Sequence, residues 1–309
     1  VLNDSGVPDG RFLKVEYPPA APLGIRNAGN ITLSLGSLGS PITYLPPDGA
    51  SVDGTPTGVA IGDLNGDGLD DLAISVPSSA NPTGTGGSVV ILINRGGDWQ
   101  GFPSAGGPGS IQLATGREPR GLVIADLDND GRKDLAVANA SSDTVSLFAN
   151  TTPAPASASF ASAGSVSFLG RPVDLVADNF NGPDRVDLAV ACEDADVVSV
   201  RRAVGGGFGF DTVAVSISTG NKPRSVAAFN PDQDKDVNRK KIAVANFASN
   251  TVGVINTSAG TVGGSLTLSP LQTINVAPGP VKVIAQPLVR TAGVNRIAFT
   301  GGGAVGQGR

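Results

Sequence analysis

Two stretches of this chain carry oxygen-bearing side chains at spacings suited to holding a hard cation. They are IGDLNGDGLDDLAI at 61–74 and IADLDNDGRKDLAV at 124–137. Numbering each loop from its first Asp, oxygen donors fall at positions 1, 3, 5 and 9, with Gly at position 6. Alternate residues turn their oxygens inward while the backbone wraps an ion, and Gly68 and Gly131 supply the sharp turn. The expected ligands of the first loop are Asp63, Asn65, Asp67, the backbone carbonyl of Leu69, and Asp71. Those of the second are Asp126, Asp128, Asp130, the carbonyl of Arg132, and Asp134. All are hard oxygens, which favours Ca2+ over zinc or copper. The competing reading is a metal-free Asp/Asn/Gly hairpin loop.

Three further loops are weaker versions. DNFNGPDRVD at 178–187 offers Asp178, Asn181, Asp184 and Asp187 in an uncertain register. NPDQDKDVNRKK at 230–241 has Asp232, Asp234 and Asp236 at alternate positions, but no Gly, and Lys241 where the last acid belongs. A solvated, metal-free loop is the favoured reading there. QPLVRTAGVNR at 286–296 has lost the pattern. Two calcium sites are expected, with up to two weaker ones.

These loops recur because a larger unit recurs. The strand after each loop reads DLAI, DLAV, DLAV, KIAV and RIAF, beginning at 71, 134, 187, 241 and 296. The strand before it reads GVAIGD, GLVIAD, DLVADN, SVAAFN and KVIAQP, each close behind a proline: Pro56, Pro119, Pro172, Pro223 or Pro280. Third strands follow in SVVILIN, TVSLFAN, VVSVRRA and TVGVIN, and fourth strands in SIQLATG, SVSFLG, TVAVSISTG and LQTINVAPG. Four short strands in a unit of about fifty residues are the mark of a propeller blade. A lone blade has two bare faces, and radial packing buries both, so the repeats form one domain.

The expected fold is therefore an all-β propeller of four-stranded blades with five recognisable repeats, about 52–118, 119–171, 172–222, 223–279 and 280–309. The last repeat stops after its second strand. Strands at 31–35 and 41–45 are expected to complete it, so that residues 30–50 close a five-bladed ring; six or seven blades are the alternative. Residues 1–29 read as an extension or a degenerate blade.

Composition sets limits. The 309 residues are 40% hydrophobic, with Gly 43 and Pro 23, which fits an ordered, turn-rich chain. The net charge is −5, and no basic patch interleaved with aromatics suggests nucleic acid. Glu stands only at 16, 118 and 193, so nearly all of the 27 acids are Asp, a turn and cation-loop residue. The single cysteine, Cys192, excludes an internal disulfide and reads as a small buried side chain. Millimolar calcium in place of disulfides suits an extracellular setting. No apolar run is long enough to span a membrane, and no initiator Met or signal-like segment is present. The chain reads as a processed or excised segment.

The loops and the DLAI/DLAV strands resemble the FG-GAP/VCBS repeat family, whose members include the propellers of integrin α subunits. The resemblance covers roughly 52–309 and implies an extracellular, calcium-loaded propeller used in adhesion or surface proteins. Two intact loops and five visible copies depart from the seven-bladed integrin pattern.

Three functions follow as expectations. The first is a non-enzymatic adhesion, surface or structural module, with a surface-layer or filament subunit as one form. Its partners would be other extracellular proteins or copies of itself. The second is an enzyme. With His 0, Ser-His triads and His-ligated metals are excluded, leaving carboxylate or calcium-assisted chemistry. The third is a glycan-binding propeller. Sugar sites stack rings on aromatics, and here there are Trp99, Tyr17 and Tyr44, without one aromatic per blade. Phe160, Phe208 and Phe210 are expected to plug outer edges. Sequons stand at Asn3, Asn30, Asn139, Asn150 and Asn256, and TTPAPASASFASAGS at 151–165 reads as a flexible loop or an O-glycosylated stretch.

Overall fold

The computed structural model describes residues 13–16, 32–35, 42–43, 56–77, 86–94, 110–153, 158–181, 185–229, 240–259, 265–276, 278–285 and 297–301. Every regular element among them is a strand. Four sheets have four strands each, joined as antiparallel meanders. The first holds β4 (Gly58–Gly62), β5 (Asp71–Val76), β6 (Ser88–Leu92) and β7 (Ser110–Ala114). The second holds β8 (Pro119–Ala125), β9 (Asp134–Asn139), β10 (Thr144–Asn150) and β11 (Phe160–Ser167). The third holds β12 (Pro172–Asp178), β13 (Asp187–Cys192), β14 (Val197–Arg201) and β15 (Val215–Ser218). The fourth holds β16 (Pro223–Phe229), β17 (Lys241–Asn246), β18 (Thr251–Ala259) and β19 (Leu266–Asn275). A fifth sheet pairs β20 (Pro280–Ala285) with β21 (Ile297–Gly301).

The first strands β4, β8, β12, β16 and β20 pack side by side in chain order, so the sheets fan out as propeller blades. Burial follows that geometry. The second strands β5, β9 and β13 are buried at every residue; β9, for one, packs Leu135 and Val137 against the first blade and Ala136 and Ala138 against the third. Outer strands such as β15 alternate between half-buried and exposed. Blade-to-blade cores are made of small β-branched and aliphatic residues; one joins Ala189, Ala191 and Val198 of the third blade to Val226, Ile242 and Val244 of the fourth. Phe160, Phe208 and Phe210 pack against these cores as expected.

The recurrent prolines open β8, β12, β16 and β20, and a register shift follows each one. A residue without an N–H fits there, at the start of a strand beside a bulge. The residue before each of these prolines is left-handed: Glu118 (φ 56), Arg171 (φ 63), Lys222 (φ 54) and Gly279 (φ 69). At three of them the turn is held by a turn residue of the preceding blade. Asp143 Oδ1 accepts the Arg171 N–H, Asp196 Oδ1 that of Lys222, and Asn250 Oδ1 that of Gly279, at 2.7–2.8 Å.

Two expectations meet differences. β11 begins at Phe160, inside the stretch expected to be a loop, because a backbone ladder at an outer edge needs no apolar side chains. At the N-terminal end, β2 (Thr32–Leu35) and β3 (Ile42–Thr43) do form, but they join β1 (Leu13–Glu16) in a separate three-stranded sheet with β2 in the middle. The ladder expected between 30–50 and the C-terminal pair is not among the described pairings. Partners close in sequence lose less chain entropy on pairing than partners at the two ends of the chain. The β1–β2 ladder also crosses the expected boundary at residue 29.

Candidate metal centres

Both acid-rich loops link a first strand to a second strand, so they lie at the same end of adjacent blades. Their local folds are closely similar. In the first, Asp63 accepts the N–H groups of Gly66 and Gly68 at 2.7 and 2.8 Å. In the second, Asp126 accepts those of Asp130 and Gly131 at 3.1 and 2.9 Å. The Leu69 N–H reaches Asp67 Oδ1 and the Arg132 N–H reaches Asp130 Oδ1, both at 2.8 Å. Gly68 (φ 85) and Gly131 (φ 88) are left-handed at position 6, with open space where a Cβ would stand, so conformation rather than room calls for glycine there.

The carboxylates of Asp126, Asp128 and Asp130 each bring an oxygen within 4.8 Å of the others. Burial, together with the negative charges of Asp130 and Asp126, raises the pKa of Asp128. Three hard oxygens crowded around one point, at least one of them resisting ionisation, form a donor set that suits calcium. Arg132 also pairs with Asp130 and donates to the Asn150 carbonyl. The first loop carries Asn65 where the second has Asp128; its Oδ1 accepts the Asp67 N–H and its Nδ2 donates to Asp67.

The position-9 acids sit elsewhere. Asp71 and Asp134 are fully buried at the loop base, and neither belongs to the three-carboxylate group. Asp71 accepts the N–H groups of Leu64 and Asn94 at 2.7 and 2.8 Å; Asp134 accepts those of Leu127 and Asn150, both at 2.8 Å. Burial pushes each to about 6 against the lowering effect of these bonds. Their evident work is to tie loop, second strand and third-strand exit together. Asn94 and Asn150 complete the arrangement. Asn150 Nδ2 donates to the carbonyls of Lys133 and, across the blade boundary, of Leu64 at 2.9 and 2.8 Å. Sequence reasoning missed this pair, although ILIN and LFAN end their strands alike.

The ladder also settles the register of the third loop. Asp178 pairs opposite Asp187, as Gly62 does with Asp71 and Ala125 with Asp134. Asp178 therefore ends the strand rather than starting the loop, and Asn179 takes position 1. Pro183, without an oxygen on its side chain, takes position 5. Asp187 keeps the buried base role, accepting from Phe180 and Ala203 at 3.0 and 2.8 Å. Asp178 instead binds Lys240. Asn181 is half-buried at position 3. Asp184, Asp232, Asp234 and Asp236 lie outside the described residues, as do Trp99, Tyr17, Tyr44, Asn3 and Asn30.

The opposite rim, where each blade hands over to the next, carries a different device. Glu118 pairs with Arg120 and Arg171, Arg171 with Glu193, and Glu193 with Arg224, across three blades. Arg224 then lies 3.6 Å above the Phe247 ring centroid. Elsewhere, Cys192 is buried as expected, and burial pushes its thiol up to about 11. Asn139 and Asn150 are buried and hydrogen-bonded, which removes both as glycan acceptors in the folded chain, while Asn256 is half-buried.

The FG-GAP repeat profile matches residues 55–92, the span of β4, the first acid-rich loop, β5 and β6. The chain thus carries an FG-GAP repeat, as its loops indicated. A search of curated protein sequences returns no match. Among solved structures, the chain is similar to the periplasmic gluconolactonase PpgL of Pseudomonas aeruginosa, at TM-score 0.53 and 16% identity, over 90% of this chain and 70% of that one. It is also similar to BBS1N in its complex with ARL6DN, at TM-score 0.51 and 13% identity, over 89% and 70%. At such identities the likeness concerns the propeller fold alone.

Proposed function

We propose that this FG-GAP-repeat β-propeller is an extracellular, calcium-stabilised module without enzymatic activity, used in adhesion, at a surface or as a structural subunit. The observation that carries the reading is the pair of matching acid-rich loops on one rim, with Asp126, Asp128 and Asp130 converging. Asp63, Asn65 and Asp67 would hold one ion and Asp126, Asp128 and Asp130 the other. A bound calcium ion neutralises crowded carboxylates and pins a hairpin. Asp71 and Asp134 keep the loop base rigid, and Asn150 couples the first loop to the second blade.

The non-enzymatic part rests on how the acids are engaged. Glu118, Glu193, Asp174, Asp178, Asp194 and Asp211 all sit in ion pairs, and Asp143 and Asp196 accept backbone N–H groups. Such acids are tied to the scaffold rather than poised for proton transfer. The extracellular part rests on calcium supply and on a fold held without disulfides. No helix among the described residues is long and apolar enough to cross a membrane. The partners we favour are other extracellular proteins or copies of this chain.

Calcium titration followed by thermal melts tests the ion. The melting temperature should rise with calcium and fall in excess chelator; a melt indifferent to chelator overturns the reading. Sedimentation and negative-stain imaging in calcium test self-assembly, and strictly dispersed monomers at high concentration would remove copies of this chain from the partners.

A further inference from the structure

The third blade keeps the frame of a cation loop while its charge has been rerouted. Asp187 still sits fully buried at the base with its backbone donors, as Asp71 and Asp134 do. The loop itself has Asn179, Asn181 and Pro183 where the second loop has Asp126, Asp128 and Asp130. Asp178, at the end of β12, lies one position before the loop.

A lysine from the next blade meets that acid. Lys240 Nζ lies 2.9 Å from Asp178 Oδ1 and 3.0 Å from Oδ2, so it engages both carboxylate oxygens. Asp178 Oδ1 also accepts the Asn179 N–H at 2.8 Å. Both charged side chains are about three-quarters buried, at 23% and 25% exposure. The backbone of the lysine is anchored, because its carbonyl accepts the Thr257 hydroxyl at 2.6 Å and the Thr257 N–H at 3.3 Å. It immediately precedes β17, in the blade whose own loop has Lys241 at the last acidic position.

We infer that Lys240 is a built-in counter-ion: its ammonium neutralises Asp178 where β12 enters the third loop, and it does so between blades, tying β12 to the start of β17 without a metal ion. The charge is covalently attached, so this tie needs no calcium.

A double-mutant cycle in excess chelator isolates the tie. Lys240→Ala and Asp178→Ala should each lower the melting temperature by about 2 °C, and the double variant should fall no further than either single one. Additive losses would overturn the inference. So would a loss in Lys240→Ala that added calcium repairs in the folded protein. If the alanine variants fail to fold, the exchanged pair, Asp178→Lys with Lys240→Asp, replaces them, and it should melt above either single charge reversal; no recovery counts against the tie. Amide exchange across 172–190 should be unchanged by chelator while that across 60–71 and 124–134 rises. If chelator alters neither, the calcium reading fails, and the cycle still decides the lysine.

Discussion

Asp134 shows how far a residue's type under-determines its job. Its spacing marks a ligand, and its two oxygens each also take a backbone N–H deep in the blade. Asp134→Asn would present an amide N–H₂ to one of those donors, leaving a buried N–H unpaired, at a cost of about 1–3 kcal/mol. Urea melts of the calcium-free protein should show that loss. Asp187 is the same device in the third blade. Burial raises it from 3.8 to about 6, against bonds from Ala203, Phe180 and Asn181. The folded state therefore holds its proton more tightly than the unfolded chain does. Its contribution is complete below pH 3.8 and is lost as pH rises to about 6. Asp187→Asn should reduce the slope of stability against pH across that window by up to one proton, as read from denaturant midpoints.

At the scale of the element, the blades depend on close approach of their inner strands. A Cβ on Gly121 would stand 2.7 Å from Asp174 Cα and 2.6 Å from its Oδ1. One on Gly58 would stand 2.2 Å from the Arg120 carbonyl oxygen. These positions, two residues after the recurrent proline, are where one blade's first strand meets the next. Gly121→Ala should cost about 1–3 kcal/mol through forced backbone shifts. Gly206→Ala, with nothing within 4 Å of its Cβ, is the matched control and should stay within about 0.5 kcal/mol. Thermal melts of the two variants side by side give the comparison.

The whole molecule has two rims with two kinds of fastening. One carries the acid-rich loops, whose proposed fastener is a soluble ion. The other carries the chain from Arg120 through Glu118, Arg171 and Glu193 to Arg224. Burial works against ionisation of Glu118, but bonds from Ser141, Arg120 and Arg171 outweigh it and bring its pKa down from 4.5 to about 2. Its stabilising contribution is present above pH 4.5 and is lost as pH falls toward 2. Acid titration followed by intrinsic fluorescence or circular dichroism should show that loss in the wild type. Glu118→Gln should start lower at neutral pH and lack that share of the acid slope. Salt should also weaken this rim, since its arginines are partly exposed.

Local chemistry repeated at a regular interval was enough to reveal the blades. Alternating aliphatic runs dictate strands, Asp-Gly turns dictate sharp loops, and their recurrence at 71, 134, 187, 241 and 296 dictates a radial array. The two strong loops were legible for the same reason, since all their candidate donors lie within nine consecutive residues. Whatever joined distant residues was not legible. The blade-to-blade bond from Asn150 to Leu64, the Glu118–Arg224 chain and the meeting of Lys240 with Asp178 exist only once separate blades are packed. The role of Asp134 and the frame of the third loop were likewise decided by strand pairing. A one-residue change of register exchanges the faces of a strand and takes a side chain out of its loop. Sequence shows which groups are present; the ladder of backbone bonds determines which way each one points.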